Sequence, residues 1–297
     1  MTTIYGGHGV RSSRHSVLRV PRSRRRWSSL LYLAASFLLL AASARAQAPP
    51  QFPAHVQLVW DGNPLRAGHT LWVGALFQSD PGWHIYWQNP GDSGEPPKIQ
   101  WKLPPNFRPG AILWPRPILL GSGTVRDYGY EGQVLLMTPL QTPPELPATA
   151  PVEIAATIKF VVCREICIPG KADLTLTVPL HAQPPSNDSP SRKIFDDTRA
   201  QLPKPLPPDL KVSAGSTDGN LELWLVGAPQ THEIRFFPLD PGVIENSAPQ
   251  NLDSGHGSLR LTLKKSDQLL KPPSRLRGVI VLDEIKAYKI DVPVKPS

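Results

Sequence analysis

The chain has 297 residues, among them 36 prolines but two cysteines and two methionines, with 32 basic against 24 acidic side chains and a formal net charge of +8. The positive excess is local: eight arginines and no acidic residue lie in the first 46 positions, and the remainder carries 24 charges of each sign. A balanced remainder leaves no electrostatic footprint for nucleic acid and no polybasic membrane patch, and its length suits two domains of ordinary size.

The arginine-rich start runs into an apolar stretch, Leu30–Ala44, and ends in Ala44-Arg45-Ala46. A basic region, a short apolar core and a small-residue motif form the order of a signal peptide, here residues 1–46, cut after about Ala46. The core of about 15 residues is short for a bilayer span, and a retained amino-terminal anchor is the alternative. "SRRRW" at Ser23–Trp27 hints at a twin-arginine signal. No later apolar run is long enough to cross a membrane, so the mature chain is expected to have no transmembrane segment and to be periplasmic. In such an oxidising compartment a disulfide persists.

Short alternating segments between turn residues then predict an all-β protein. In residues 47–182 strands are expected at His55–Trp60, Thr70–Gln78, Trp83–Gln88, Gln133–Pro139, Val152–Val162 and Ala172–Leu180. The clearest is Val152–Val162, where Val152, Ile154, Ala156, Ile158, Phe160 and Val162 define a core face and Glu153, Thr157 and Lys159 a wet one. Residues 183–210 are proline-rich, with a candidate short helix at Ser191–Gln201, and read as an interdomain linker. Residues 211–297 offer strands at Leu221–Val226, Glu233–Pro238, Ser258–Leu263, Leu276–Leu282 and Tyr288–Val292, the pattern of a second, smaller β-sandwich.

Both cysteines lie in "KFVVCREICIPG", Lys159–Gly170. Alternation continued by one residue puts Cys163 on the polar face with Lys159 and Val161, within reach of solvent. On one extended strand the two Cα atoms would stand about 13 Å apart, beyond the roughly 7 Å that a disulfide spans. A tight turn through Arg164, Glu165 and Ile166 would instead set Cys163 across from Cys167. A crosslink closing about five residues is worth roughly 2 kcal/mol, against about 5 for one closing about 100. As a staple it does little, which favours a pair that opens and closes by thiol–disulfide exchange. A local structural disulfide in a non-catalytic interaction module stays open, as does Cu(I) held by two thiolates in a copper-tolerance role. Arg164 would favour a thiolate at Cys163 and Glu165 would oppose it. No glycine-rich phosphate loop, zinc-type Cys/His spacing or Cys-x-x-Cys motif is present, and no cofactor or structural metal is expected.

"GWHIYWQNPGDSGEPP" at Gly82–Pro97, "WPRP" at Trp114–Pro117, "DYGYEGQVLL" at Asp127–Leu136 and "FVVCREICIPG" at Phe160–Gly170 occur in that order. Together they resemble the amino-terminal extracytoplasmic region of the DsbD/ScsB thiol:disulfide interchange proteins, most nearly the ScsB-like branch. "IRFFPLDPGVIENSAPQ" at Ile234–Gln250 resembles the second extracytoplasmic segment of that branch. The resemblance implies an immunoglobulin-like β-sandwich whose redox pair, Cys163 and Cys167, takes electrons from a membrane thiol transducer and reduces exported thioredoxin-like or other thiol client proteins, the work of a protein-disulfide reductase component. It also implies that Cys167 forms the mixed disulfide and that Cys163 resolves it. Tyr86 and Trp83 match aromatic positions beside the family's pair, although core packing accounts for either equally well. The family's cap loop corresponds to Leu119–Tyr130, where Asp127, Tyr128, Tyr130 and Glu131 either edge the site or form a hairpin turn. Relatives continue into membrane helices and a thioredoxin-like domain, which this sequence lacks.

Overall fold

The structure is a computed structural model that describes residues 52–121, 123–146, 151–180, 190–255 and 257–296. The expected signal peptide at 1–46 lies outside the described residues, as do positions 183–189 of the expected linker.

The alternating segments of the first half become strands β1 (Ala54–Trp60), β2 (Thr70–Ser79), β3 (His84–Gly91), β4 (Lys98–Lys102), β5 (Arg108–Pro109), β6 (Ile118–Leu120), β7 (Asp127–Glu131), β8 (Gln133–Gln141), β9 (Val152–Cys163) and β10 (Cys167–Val178). One sheet runs β1-β2-β8-β5 and the facing one β10-β9-β3-β7-β6, with β4 pairing β9 beyond the short β3 contact. Strand β9 follows its pattern except at Thr157: Val152, Ile154, Ala156, Ile158, Phe160 and Val162 are buried and Glu153 and Lys159 are exposed, but Thr157, expected on the wet face, is buried between Gln100 of β4 and Asp173 of β10, to which its hydroxyl donates. Its apolar face meets Phe77, Leu136, Ile85 and Trp87 in the core between the sheets. Strand β2 reads almost continuously apolar because it is flanked on both edges and covered on both faces.

The helix signal between prolines becomes α1 (Pro190–Gln201). Its Phe195 is fully buried against Leu76, Leu135 and Met137 on the outer face of the first sheet, and Arg199 reaches the buried carboxylate of Asp61. The chain continues as β11 (Lys211–Ser216), β12 (Asn220–Val226), β13 (Ile234–Pro238), β14 (Asn251–Gly255), β15 (Ser258–Lys264), β16 (Arg275–Leu282) and β17 (Lys286–Pro296). These run β13-β16-β17-β11-β12-β15-β14, with β11 and β17 parallel and the other pairs antiparallel. The long β17 leaves β16 and pairs β11 through Val294–Pro296, so one strand serves both layers around Leu221, Leu223, Phe236, Leu261, Ile280 and Ile290. The protein is thus all-β apart from α1 among the described residues, built as two sandwiches.

Phe237, Val279, Val281 and Ala287 of the second sandwich bury their side chains in the core of the first. The Asn89 side-chain amide donates to the Pro238 carbonyl at 2.8 Å in the same buried seam. Strand β3, which carries the site described next, is therefore held from both sides.

Candidate redox site

Strands β9 and β10 form one hairpin whose register sets Cys167 opposite Cys163, with Arg164, Glu165 and Ile166 as the turn. The Arg164 amide donates to the Ile166 carbonyl at 3.1 Å and closes it. The two cysteines are disulfide-bonded with Cα atoms 4.2 Å apart, near the close cross-strand spacing of about 4.5 Å. The turn expected from the spacing is present. The exposure expected for Cys163 is not: it is only 2% exposed, while Cys167 is exposed. The face of β9 that is wet at Lys159 becomes dry at its end because β3 joins there, setting His84 directly opposite Cys163. His84 and Tyr86, two apart on β3, then share that face, and both are buried.

The loop after β3 folds back over this pair. Ser93 is held by Asp127 of β7 through two hydrogen bonds to one carboxylate, the amide at 2.9 Å and the hydroxyl at 2.8 Å. Since the Ser93 hydroxyl donates to Asp127, its oxygen is free to accept from Tyr86, whose phenol lies 3.3 Å from it and 3.7 Å from Cys167 Sγ. Burial pushes the Tyr86 phenol above its ordinary range; the Ser93 bond works against that and the Asp127 charge reinforces it. Tyr86 therefore keeps one proton and has two acceptors within reach. A disulfide sulfur competes poorly for that proton, whereas a thiolate at Cys167 competes well, as bonds to ionised groups are the stronger ones. Gly94, at φ 69°, sits close against the Tyr86 ring, and a Cβ there would run into the ring carbons.

Residues 52–179 match the family model of the thiol:disulfide interchange protein DsbD, N-terminal. This segment is a DsbD amino-terminal domain. The N-terminal periplasmic domain of ScsB from Proteus mirabilis superposes with a TM-score of 0.64 at 17% identity, covering 84% of this chain and 97% of that one, a likeness of fold. A protein of unknown function from Porphyromonas gingivalis W83 shares 15% identity over 82% of this chain and 100% of its own, with a TM-score of 0.20. No curated protein matches the chain.

Within the DsbD domain the expected neighbours of the pair fall into different places. Tyr86 touches Cys167, and Trp83, half-buried, receives the Arg164 guanidinium 5.1 Å from its ring centre. Glu165 is exposed on the turn, and Glu131 is exposed opposite His84. The two ends of Leu119–Tyr130 are not loop: they belong to β6 and β7, paired with each other through Leu119↔Tyr128 beside β3. Of the residues in this stretch, Asp127 reaches the site through Ser93, the Tyr128 hydroxyl donates to Asn246 at 2.6 Å and the Tyr130 hydroxyl to the Pro115 carbonyl at 2.8 Å. The cover over Tyr86 comes instead from Gly91–Glu95, within the "NPGDSGEPP" motif, and Ser93 and His84 are the residues sequence reasoning missed. A Gly-Asp-Ser-Gly run directly after an aromatic strand is the signal that points to Ser93. Among the described residues no group of three or more His, Cys, Asp or Glu side chains gathers as a metal set would, and no helix is long and apolar enough to cross a membrane.

His84 gives the DsbD domain a pH dependence. Burial lowers its pKa below the ordinary 6.5, and the charges of Asp127 and Glu131 pull it only partly back. Below pH 6.5 the unfolded chain binds a proton that the folded one resists. This stability is complete above the unfolded value and is lost as pH falls through it toward the lower folded one. Urea midpoints are expected to drop between about pH 7.5 and 5.5, and His84→Gln to show a smaller drop; equal drops in the two proteins would contradict this.

Proposed function

We propose that Cys163 and Cys167 form a reversible dithiol–disulfide couple that passes electrons from a membrane thiol transducer to exported client proteins in the periplasm. The observation that carries the reading is the unequal exposure of the two bonded cysteines: Cys167 is exposed at a hairpin end and Cys163 is 2% exposed. Ile166, 65% exposed on the turn beside Cys167, offers an apolar contact to a docking partner. In the reduced protein the Cys167 thiolate attacks a client disulfide, forming a mixed disulfide and releasing one client thiolate. The Cys163 thiolate then attacks Cys167 Sγ, re-forming the internal disulfide and releasing the second client thiolate. Two electrons move to the client, and no organic cofactor takes part. Recharging reverses these steps with the transducer's dithiol. On this reading residues 47–182 are the redox domain, 183–210 the connection and 211–297 a domain that supports docking.

The test is trapping. Cys163→Ala leaves the outer sulfur without its resolving partner and is expected to accumulate mixed disulfides with exported thiol proteins, whereas Cys167→Ala accumulates far fewer. Equal trapping by both variants would reverse the assignment of roles. Trapping by neither, with a wild-type reduction potential below about −300 mV, would leave a structural disulfide in an interaction module.

A further inference from the structure

The "PLDPGVIENSAPQ" segment, Pro238–Gln250, belongs to the second sandwich, yet its Asn246 side chain reaches the loop that lies over Tyr86. Asn246, half-buried, accepts from the Tyr128 hydroxyl at 2.6 Å and donates its side-chain amide to Asp92 Oδ1 at 2.7 Å. The other oxygen of Asp92 accepts from the Arg126 amide at 2.7 Å. Asp92 precedes Ser93, and Tyr128 follows Asp127, which are the two residues that seat the loop on Tyr86 and so on Cys167 Sγ. One amide side chain therefore ties together both stretches of chain that carry the Ser93–Asp127 latch. Phe237, just before the segment, and Pro238, its first residue, fix its position. The Phe237 ring packs on Tyr128 with ring centres 5.2 Å apart, and the Pro238 carbonyl accepts from Asn89.

We propose that the second sandwich sets how accessible the Cys163–Cys167 disulfide is, with Asn246 as the positioning residue that clamps the Asp92–Glu95 loop against Tyr86. The proposal rests on the exchange reading above and gives the second sandwich a part in it: while docked, it holds Tyr86 and the loop against one side of the exposed Cys167, and a partner that displaces Asn246 widens the approach to the sulfur. An amide is the side chain the position requires. It must accept from a phenol on one side and donate to a carboxylate on the other, which a carboxylate or an aliphatic residue at 246 cannot do.

The experiment measures the rate at which dithiothreitol reduces the disulfide in the full chain, with near-ultraviolet circular dichroism to establish that each variant is folded. Asn246→Ala is expected to raise the rate about tenfold, equivalent to ~1.4 kcal/mol. Asn246→Asp, which sets two carboxylates against each other, is expected to raise it at least as much. The double variant Asp92→Asn with Asn246→Asp exchanges amide and carboxylate and keeps all three bonds. Its amide at position 92 donates to the carboxylate at 246 and accepts from the Arg126 backbone, while that carboxylate still accepts from Tyr128. It is expected to return the rate to that of the wild type. Gln250→Ala serves as the control. Among the described residues its amide bonds the Phe236 backbone, at 2.7 and 2.9 Å, and no residue of the loop, so the substitution is expected to lower the melting temperature and leave the rate unchanged. An unchanged rate in Asn246→Ala, failure of the exchanged pair to restore it, or equal acceleration by Gln250→Ala would each overturn the proposal. A wild-type pair that does not equilibrate with glutathione would sink the exchange reading while leaving the comparison among variants intact.

Discussion

Phe237→Ala is expected to remove about 3–5 kcal/mol of stability, the range for deleting a fully buried aromatic ring. Phe237 is 2% exposed, although it belongs to the second sandwich, and its ring sits edge-on to Tyr128 at 5.2 Å and to Trp87 at 6.4 Å. Val279, Val281 and Ala287 line the same core from the second sandwich, on strands already paired across β16 and β17. They cannot easily close on the space left by the ring, which places the substitution toward the upper end of the range. For a chain of this size the loss corresponds to a fall in melting temperature of about 2–4 °C per kcal/mol. Urea unfolding followed by tryptophan fluorescence measures it, since Trp87 is one of the rings that Phe237 touches. A loss below about 1 kcal/mol would show the site to be more compliant than a buried core allows. Such a result would also remove the rigid seat on which the Asn246 clamp depends.

The two-sandwich architecture is legible in the sequence because alternation is a local property. Val152–Val162 needs only its own residues to declare one face apolar, and each expected strand from His55–Trp60 to Tyr288–Val292 has a counterpart in the structure. Strands β4 to β7 are not legible because their burial is decided by neighbours. Arg108–Pro109 is two residues long, and "DYGYE" at Asp127–Glu131 is buried over four of its five residues because β3 and β6 flank it, which hides any alternation. Strand β14 escapes for the opposite reason: it pairs only β15 at the sheet edge, and Asn251–Gly255 is exposed at all but Leu252.

The site divides in the same way. The spacing of Cys163 and Cys167 demands a turn between them, a constraint of chain reach alone. Burial of Cys163 depends on His84 arriving opposite it from far earlier in the chain, and the loop over Tyr86 depends on Asp127, 34 positions beyond Ser93. Asn246 is 154 positions from Asp92. No periodicity in one segment encodes contacts of that range, so the cysteines are evident from their own spacing, Tyr86 and Asp127 only through the family resemblance, and His84, Ser93 and Asn246 not at all.

Gly94→Ala is expected to cost about 2–5 kcal/mol, from two separable sources. The first is backbone: at φ 69° an L side chain is strained by about 1–2 kcal/mol. The second is the collision of the new Cβ with the Tyr86 ring, an overpacking that adds about 1–3 kcal/mol. Gly68 separates them, since it has φ 70° and nothing within 4 Å of where a Cβ would stand. Gly68→Ala therefore carries the backbone strain alone, and the difference between the two variants in urea unfolding reads the ring contact. Relief of the collision requires either the loop to lift from Tyr86 or the ring to tilt away from Cys167 Sγ, 3.7 Å distant. Either movement widens the approach to the sulfur on its Tyr86 side, so Gly94→Ala is expected to speed reduction of the disulfide by dithiothreitol while Gly68→Ala leaves it unchanged. Equal costs and equal rates in the two variants would mean that the loop does not bear on Tyr86 and has no influence on access to Cys167.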